Sequence, residues 1–284
     1  MATLRDIRKR IGAIGKTQKI TRAMKLISAA RFARAQQAIA SARPYAEKLQ
    51  QVLGAVAAGV ESDAHPLLAP RAAVKKVDVV VFTSDRGLCG AYNMNINKHA
   101  DALRRERGPE VEELRVIPVG RKVGEYFRRR KVQLEAGWTL LGTIQPEHAT
   151  RIAAALMERY LSGESDEIVL VYSEFVSALT QRPRHETLLP LAPPSDAGET
   201  ATYEVEPDAA SLLGLLVPRA VEFAIYRALL ENQAGEHGAR MTAMDSATNN
   251  TEELIRTLTI DLNKARQASI TAELVEIVSG ADAL

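Results

Sequence analysis

The sequence predicts an α/β fold in which two long terminal helices form an antiparallel coiled coil beside a small α/β domain. Proline-poor heptad patterns at both ends and alternating strands and helices between them support this prediction. The composition agrees, because only 5% of the 284 residues are aromatic and long helices use few aromatic residues. We place the N-terminal coiled-coil helix at 1–60, the α/β domain at 74–192 and the C-terminal coiled-coil helix at 207–284.

The N-terminal segment carries the spacing of a coiled-coil helix. Residues 2–43 contain no proline, and apolar residues repeat three and four positions apart, which lets one helix pack along another. The pattern begins with Leu4, Ile7, Ile11 and Ile14. We expect this apolar seam to drift to Ile20, Met24 and Ile27. We also expect Pro44 to bend the helix, since it removes a backbone hydrogen bond, and the helix to stop near Gly59.

The middle of the chain alternates between apolar strands and helices. Strands are predicted at 77–82, 114–119 and 168–175, and the segments 132–134 and 186–191 are candidates for two further short strands. Helices are predicted at 91–107, 121–130 and 146–161. This alternation is typical of a small Rossmann-like domain with a mostly parallel sheet.

The last segment predicts a second and longer helix. Asp208 is placed to cap its start, and no proline follows Pro218. A heptad register with many small and polar members occupies Met241, Met244, Thr248, Thr251, Ile255, Leu258, Leu262, Ala265, Ser269 and Ala272. Small side chains at these positions would let the two helices approach closely.

The C-terminal helix is predicted to extend beyond its partner. At 1.5 Å per residue the two helices would be on the order of 80 Å and roughly 100 Å long, so the second outruns the first by about three or four turns. The overhanging end is apolar, with Leu274, Val275, Ile277 and Val278. Water does not favour such a surface. We expect this end to fit into an apolar collar on another protein; the alternative is that it folds back onto the α/β domain.

The first helix is also strongly basic. Its cations are Arg5, Arg8, Lys9, Arg10, Lys16, Lys19, Arg22, Lys25, Arg31 and Arg34. Asp6 is the one acidic residue among them, although the whole chain has a net charge of only +2. An acidic protein surface or a polyanion would match this face. A basic coiled-coil protein that binds nucleic acid is therefore an alternative function.

Catalytic, metal and cofactor sites are not expected. The loop 84–90 joins a strand to a helix but lacks the glycine and lysine spacing of phosphate-binding motifs, so a tight turn is favoured. The five histidines are scattered, and the single cysteine, Cys89, fits a buried thiol in a reducing compartment. The most apolar runs, 77–82 and 212–217, are shorter than the ~20 residues that span a bilayer. No signal peptide is expected either, which leaves at most a peripheral role at a membrane.

Six segments resemble the gamma subunit of F-type ATP synthase. They are Ile14–Met24, Ser84–Gly90, Arg240–Met244, Ala247–Asn250, Asn263–Thr271 and Glu276–Gly280. The resemblance runs through essentially the whole chain in order. It implies a non-catalytic rotor inside an alpha3beta3 hexamer, with further contacts to the epsilon subunit and to the c ring of the membrane sector. It implies no cofactor, no nucleic acid and no direct insertion into the membrane.

The resemblance also implies roles for individual residues. Met24 and Lys25 would lie near an acidic lever loop of the beta subunit, and Arg266 and Gln267 match residues that bond a catch loop on beta. Tyr203 and Glu206 belong to the foot that meets the c ring. Leu274 and Ile277 would sit in the apolar bearing. The expected location is the cytoplasmic face of a bacterial plasma membrane, where proton flow through the c ring would turn the subunit to drive ATP synthesis, or hydrolysis would turn it in reverse.

Overall fold

A computed structural model of the chain describes residues 3–57, 65–139, 142–177, 180–192 and 208–282. The chain divides into two compact units, one of Met1–Ala29 with Arg240–Leu284 and the other of Ala30–Ala239. Two long helices contribute to both units: α1 at Leu4–Ala57 and α5 at Ala209–Asp282. Two prolines, Pro44 and Pro218, lie inside these helices and do not end them.

The second unit contains a four-stranded sheet with helices on both faces. Its elements are β1 at Lys76–Phe82, α2 at Tyr92–Arg107, β2 at Glu113–Val119, α3 at Arg121–Arg128, α4 at Pro146–Leu161, β3 at Glu167–Phe175 and β4 at Gln181–Leu189. The strand order is β2-β1-β3-β4. The first three strands are parallel and β4 pairs antiparallel with β3. The predicted mostly parallel sheet is therefore confirmed.

Two of the predicted elements differ in the structure. The candidate strand at 132–134 forms only a single bridge between Leu134 and Val116, because Lys131 just before it turns the chain with a φ of 58°. The edge strand begins at Gln181, five residues before the predicted 186. Its first half is polar and forms ion pairs such as Arg184 with Glu174, so an apolar pattern could not reveal it.

The sheet separates two apolar layers. On one face Val80, Phe82 and Leu170 pack with α4 and α5. On the other face Val79, Val81 and Val116 pack with α2 and α3. A strand buried on both faces is apolar along its length, which explains the run Val79–Phe82. The exception within β1 is the charged residue Asp78, whose buried carboxylate accepts a hydrogen bond from Arg159 Nε at 2.7 Å.

The start of α5 agrees with its predicted cap. The backbone N–H of Ser211 donates to Asp208 Oδ1 at 2.8 Å, and this bond is the main cause that lowers the pKa of the Asp208 carboxyl. Such a bond satisfies one of the free N–H groups at a helix start.

Helix α5 is long and apolar enough, by length and composition alone, to cross a membrane. The apolar runs noted in the sequence were shorter, because Arg219 and Glu222 interrupt the apolar stretch of α5. A helix in the core of a protein domain passes the same test when it carries many apolar residues. Leu213, Val217, Val221 and Ile225 are buried in the core of the α/β unit, so packing accounts for these four positions, whereas Leu215 in the same stretch is 71% exposed.

Candidate functional site

The first unit pairs the ends of α1 and α5 in opposite directions. Thr21 Oγ1 and Thr248 Oγ1 lie 2.8 Å apart, and Lys25 Nζ lies 2.5 Å from Asp245 Oδ1. The residue numbers rise along α1 while they fall along α5. The predicted antiparallel arrangement of the two helices is therefore confirmed at these contacts.

The predicted heptad register of α5 is visible in its burial. Met244 is buried, and the other seam positions from Met241 to Ser269 are each partly buried. The positions between them in 252–268 are exposed. The seam ends before Ala272, which is exposed. The register prediction therefore holds as far as Ser269.

The seam of α1 differs from the prediction after Ile14. Ile20 and Ile27 are 60% and 55% exposed, so the expected drift towards them was wrong. The seam instead keeps strict heptad spacing through four polar residues, Gln18, Thr21, Lys25 and Ser28. Apolar periodicity could not identify these positions, because hydrogen bonds and an ion pair replace apolar contacts there. Met24 lies beside this seam and is half-buried.

The end of α5 forms an apolar surface. Extending the register set by Thr21 and Thr248 brings Leu4 level with Ala265, so α5 continues past the start of α1. All residues from 271 to 279 are exposed, including Leu274 at 57% and Ile277 at 67%. This helix end therefore presents apolar side chains to solvent, as predicted for a segment that needs a covering partner.

Most of the cations at the start of α1 are exposed to solvent. Arg5, Arg8, Lys9, Arg10, Lys16, Lys19 and Arg22 are all exposed. Lys25 instead forms the ion pair with Asp245. Arg266 and Gln267 are exposed on α5, and Arg266 has no ion-pair partner within the described ranges. Tyr203 and Glu206, the predicted foot, lie outside the described residues.

The loop after β1 uses its polar groups to hold the domain together. Asp85 Oδ1 accepts the backbone N–H of Arg121 at 2.8 Å, and Thr83 Oγ1 accepts that of Val123 at 2.9 Å. These two bonds cap the start of α3 from a neighbouring loop. Two of the first N–H groups of α3 are therefore engaged by protein side chains. Cys89 is buried.

Two of the histidines come together, although the sequence gives them no common spacing. His99 Nε2 of α2 and His185 Nδ1 of β4 lie 3.0 Å apart. In the part of the chain that the structure describes, no group of three or more His, Cys, Asp or Glu residues is arranged to hold a metal ion. The pair arises from tertiary contact between a helix and an edge strand, which sequence spacing cannot predict.

Together, these features define an α/β protein built on an antiparallel coiled coil with an exposed apolar end. The ATP synthase family model matches residues 3–284. The ATP synthase gamma chains of Anaeromyxobacter sp. (strain Fw109-5) and Pelotomaculum thermopropionicum are 49% and 48% identical, and each match covers 100% of both chains. The chain belongs to the ATP synthase gamma-chain family, whose members form the central-stalk rotor of ATP synthase.

Solved structures share the fold. A chain of the Euglena gracilis mitochondrial ATP synthase matches with a TM-score of 0.65 and 19% identity, covering 99% of this chain and 94% of that one. A chain of the Tetrahymena thermophila enzyme, from its central stalk and c ring, matches with a TM-score of 0.61 and 24% identity, covering 80% and 99%. The comparisons give no support to the nucleic-acid alternative.

Proposed function

We propose that this chain turns as the axle of a bacterial ATP synthase and transmits rotation between the membrane c ring and the catalytic sites of the beta subunits. In this proposal the chain performs no nucleotide chemistry, works at the cytoplasmic face of the plasma membrane and does not enter the bilayer. Family membership supports the assembly, and the bacterial gamma chains that match it end to end support the bacterial setting.

The observation that carries the proposal is the exposed apolar end of α5. Burial of a Leu, Ile or Val side chain is worth about 1.5–3 kcal/mol. Leu274, Val275, Ile277 and Val278 are each more than half exposed, so a collar formed by the alpha3beta3 hexamer would gain several such contributions. An apolar collar would also allow rotation, because apolar contacts have no directional bonds to break.

Coupling requires contacts that differ between the states of the beta subunit, since a partner that binds all states equally shifts none of them. Arg266 is suited to such a contact, because its guanidinium is exposed and free to meet an acceptor on beta. Gln267 lies beside it. A hydrogen bond to a charged group contributes ~1.5–3 kcal/mol, and a bond made only in some rotary positions would favour those positions.

The predicted contact of Met24 and Lys25 with an acidic loop of beta has an additional requirement. Lys25 is bound to Asp245, so a carboxylate of beta must share its ammonium group or displace Asp245. The neighbouring exposed cations, such as Arg22, face no such competition. We propose Tyr203 and Glu206 for the contact with the c ring and assign the epsilon contact to the α/β unit, both by family resemblance.

The direct experiment is to isolate the full chain from its native membrane with a mild detergent and identify the subunits that accompany it. We expect alpha, beta, epsilon and c subunits, with ATP hydrolysis in the complex and none in the purified chain alone. ATP turnover by the pure chain would contradict its non-catalytic role. Recovery of the chain with nucleic acid and without nucleotide-binding subunits would contradict its proposed role as an axle.

A further inference from the structure

His99 and His185 form a histidine pair in the α/β unit. Their facing nitrogens are 3.0 Å apart, and their ring centroids are 5.2 Å apart with planes inclined by 34°. In the neutral state one ring donates its N–H to the lone pair of the other. The hydrogen-bonded proton therefore lies between two nitrogens that are both good metal ligands.

The spacing of these nitrogens fits a shared metal ion. With metal–nitrogen bonds of 2.0–2.1 Å, two imidazole ligands lie about 2.8 Å apart at a square-planar angle and about 3.3 Å apart at a tetrahedral angle. The observed 3.0 Å lies between these values. Each ring would have to turn by up to roughly 35–45° from the hydrogen-bonded direction so that the two lone pairs aim at one metal ion.

Both histidines are held by well-packed elements. On α2, His99 lies between Ile96 and Ala100, which are fully buried against the sheet. On β4, His185 is paired in register with Val171 of β3. The backbone positions of the two ligands are thus fixed, and this lowers the entropy lost when a metal binds. His185 is exposed and His99 half-buried, so water could complete the coordination.

We propose that His99 and His185 form a binding site for a divalent transition metal of the Cu²⁺, Ni²⁺ or Zn²⁺ class, which ties α2 to the edge strand β4. The shared proton would move, through solvent, to the other nitrogen of its ring, so that the metal binds two neutral imidazoles, and water molecules would fill its remaining positions. Imidazole ligands favour these three ions over Mg²⁺ and Ca²⁺, which prefer oxygen. The site is independent of the axle function, since it lies in the α/β unit and involves none of the residues assigned to coupling.

Burial lowers the pKa of His99, and the neighbouring His185 lowers it further. Other histidines have different local roles: His65 Nδ1 accepts the backbone N–H of Leu67 at 3.2 Å, and His148 Nδ1 accepts that of Gln145 at 2.9 Å.

The test is to titrate the full, tag-free chain with Cu²⁺ and to monitor binding by calorimetry and by electron paramagnetic resonance. We expect one site whose spectrum shows coupling to two imidazole nitrogens, and a rise in thermal midpoint as Cu²⁺ is added. The variants His99→Gln and His185→Gln should each weaken binding by at least tenfold and abolish the thermal shift. The matched control, His65→Gln, should keep both.

Three results would overturn the site. They are a spectrum with fewer than two coordinated nitrogens, unchanged affinity in the two variants, or equal loss in the His65→Gln control. Circular dichroism and melting of each variant without metal separate lost binding from lost structure. If a glutamine variant fails to fold, the asparagine variant at the same position, His99→Asn or His185→Asn, replaces it. The spectrum of the wild-type chain with Cu²⁺ gives the number of coordinated nitrogens independently of the variants.

Discussion

Lys25 of α1 and Asp245 of α5 form an ion pair within the seam of the coiled coil, with Nζ and Oδ1 2.5 Å apart. The pair is adjacent to the hydrogen-bonded threonines Thr21 and Thr248. Together the two polar contacts specify how the helices align, because a shift by one residue would separate all four side chains. A buried polar residue in a coiled coil is well attested as a determinant of register.

We expect this ion pair to contribute specificity more than stability. Its side chains are 40% and 46% exposed, and exposed pairs are worth ~0.2–1 kcal/mol because water and salt screen them. A double-mutant cycle with Lys25→Ala and Asp245→Ala, measured by chemical unfolding of the full chain, should give a coupling energy in that range. A coupling of about 3 kcal/mol or more would mean that the pair behaves as a buried one.

Gly120 is required where β2 meets α3. Its φ is 101°, and a Cβ atom there would lie 2.2 Å from the carbonyl oxygen of Thr83. Gly120→Ala should therefore destabilise the α/β unit by roughly 2 kcal/mol or more, through backbone strain and displacement of the Thr83 loop. Thermal and urea unfolding measure the change.

Gly12 provides the matched control for that substitution. It lies inside α1 with open space around the position of a Cβ atom. Gly12→Ala should stabilise the helix by about 0.5–1 kcal/mol, since alanine loses less conformational entropy there. Equal effects of the two substitutions would contradict the assigned geometry of Gly120.

Glu231 should make stability depend on pH. Burial raises the pKa of its carboxyl, although the N–H of Phe175 and the charge of Arg227 act in the opposite direction. The folded chain thus retains this proton to a higher pH than the unfolded chain, whose pKa is near 4.5. The contribution of Glu231 to the free energy of unfolding therefore falls as pH rises from about 4.5 towards the raised pKa.

Glu231→Gln removes that dependence. Relative to wild type, the variant should gain stability as pH increases from 4 to 7, and urea unfolding at several pH values would measure this. Glu253→Gln, which removes a charge from an exposed position on the same helix, is the control and should show a smaller slope. If the variant instead loses stability relative to wild type as pH rises, the pKa of Glu231 is not raised on folding.

Arg266→Ala should reduce coupled turnover of the reassembled complex. Loss of a charge-assisted bond of ~1.5 kcal/mol or more corresponds to roughly a tenfold change in rate. Proton-driven ATP synthesis in reconstituted vesicles is the measurement. Arg256→Ala, at another exposed position on α5, is the control and should retain most activity. Unchanged synthesis with Arg266→Ala would remove this residue from the coupling contacts.

The sequence was most informative where burial and periodicity coincide. The buried strands and the α5 seam from Met241 to Ser269 follow from apolar spacing, because side chains on one face of an element must share one environment. The seam of α1 after Ile14 could not be predicted in this way, since Thr21 and Lys25 are satisfied by partners more than 200 positions away along the chain.

Two other features depended on tertiary contact. The edge strand β4 is polar at its start because ion pairs to β3 and α5, such as Arg227 with Glu186, stabilise its exposed face. The histidine pair joins residues 86 positions apart. No local rule could bring these groups together. The apolar end of α5, by contrast, was evident from the sequence of Leu274 to Val278, which stays exposed among the residues that the structure describes.

The most direct test of the axle is to locate the end of α5 in the assembled complex. Ile277→Cys, labelled with a short photoreactive reagent and reassembled in native membranes, should crosslink to alpha or beta subunits after illumination. The same label at Arg256→Cys, well inside the helix, provides a reference position. Mass spectrometry that finds the crosslink from position 277 on alpha or beta supports the collar. A crosslink mainly to the chain's own residues 74–192 would contradict it.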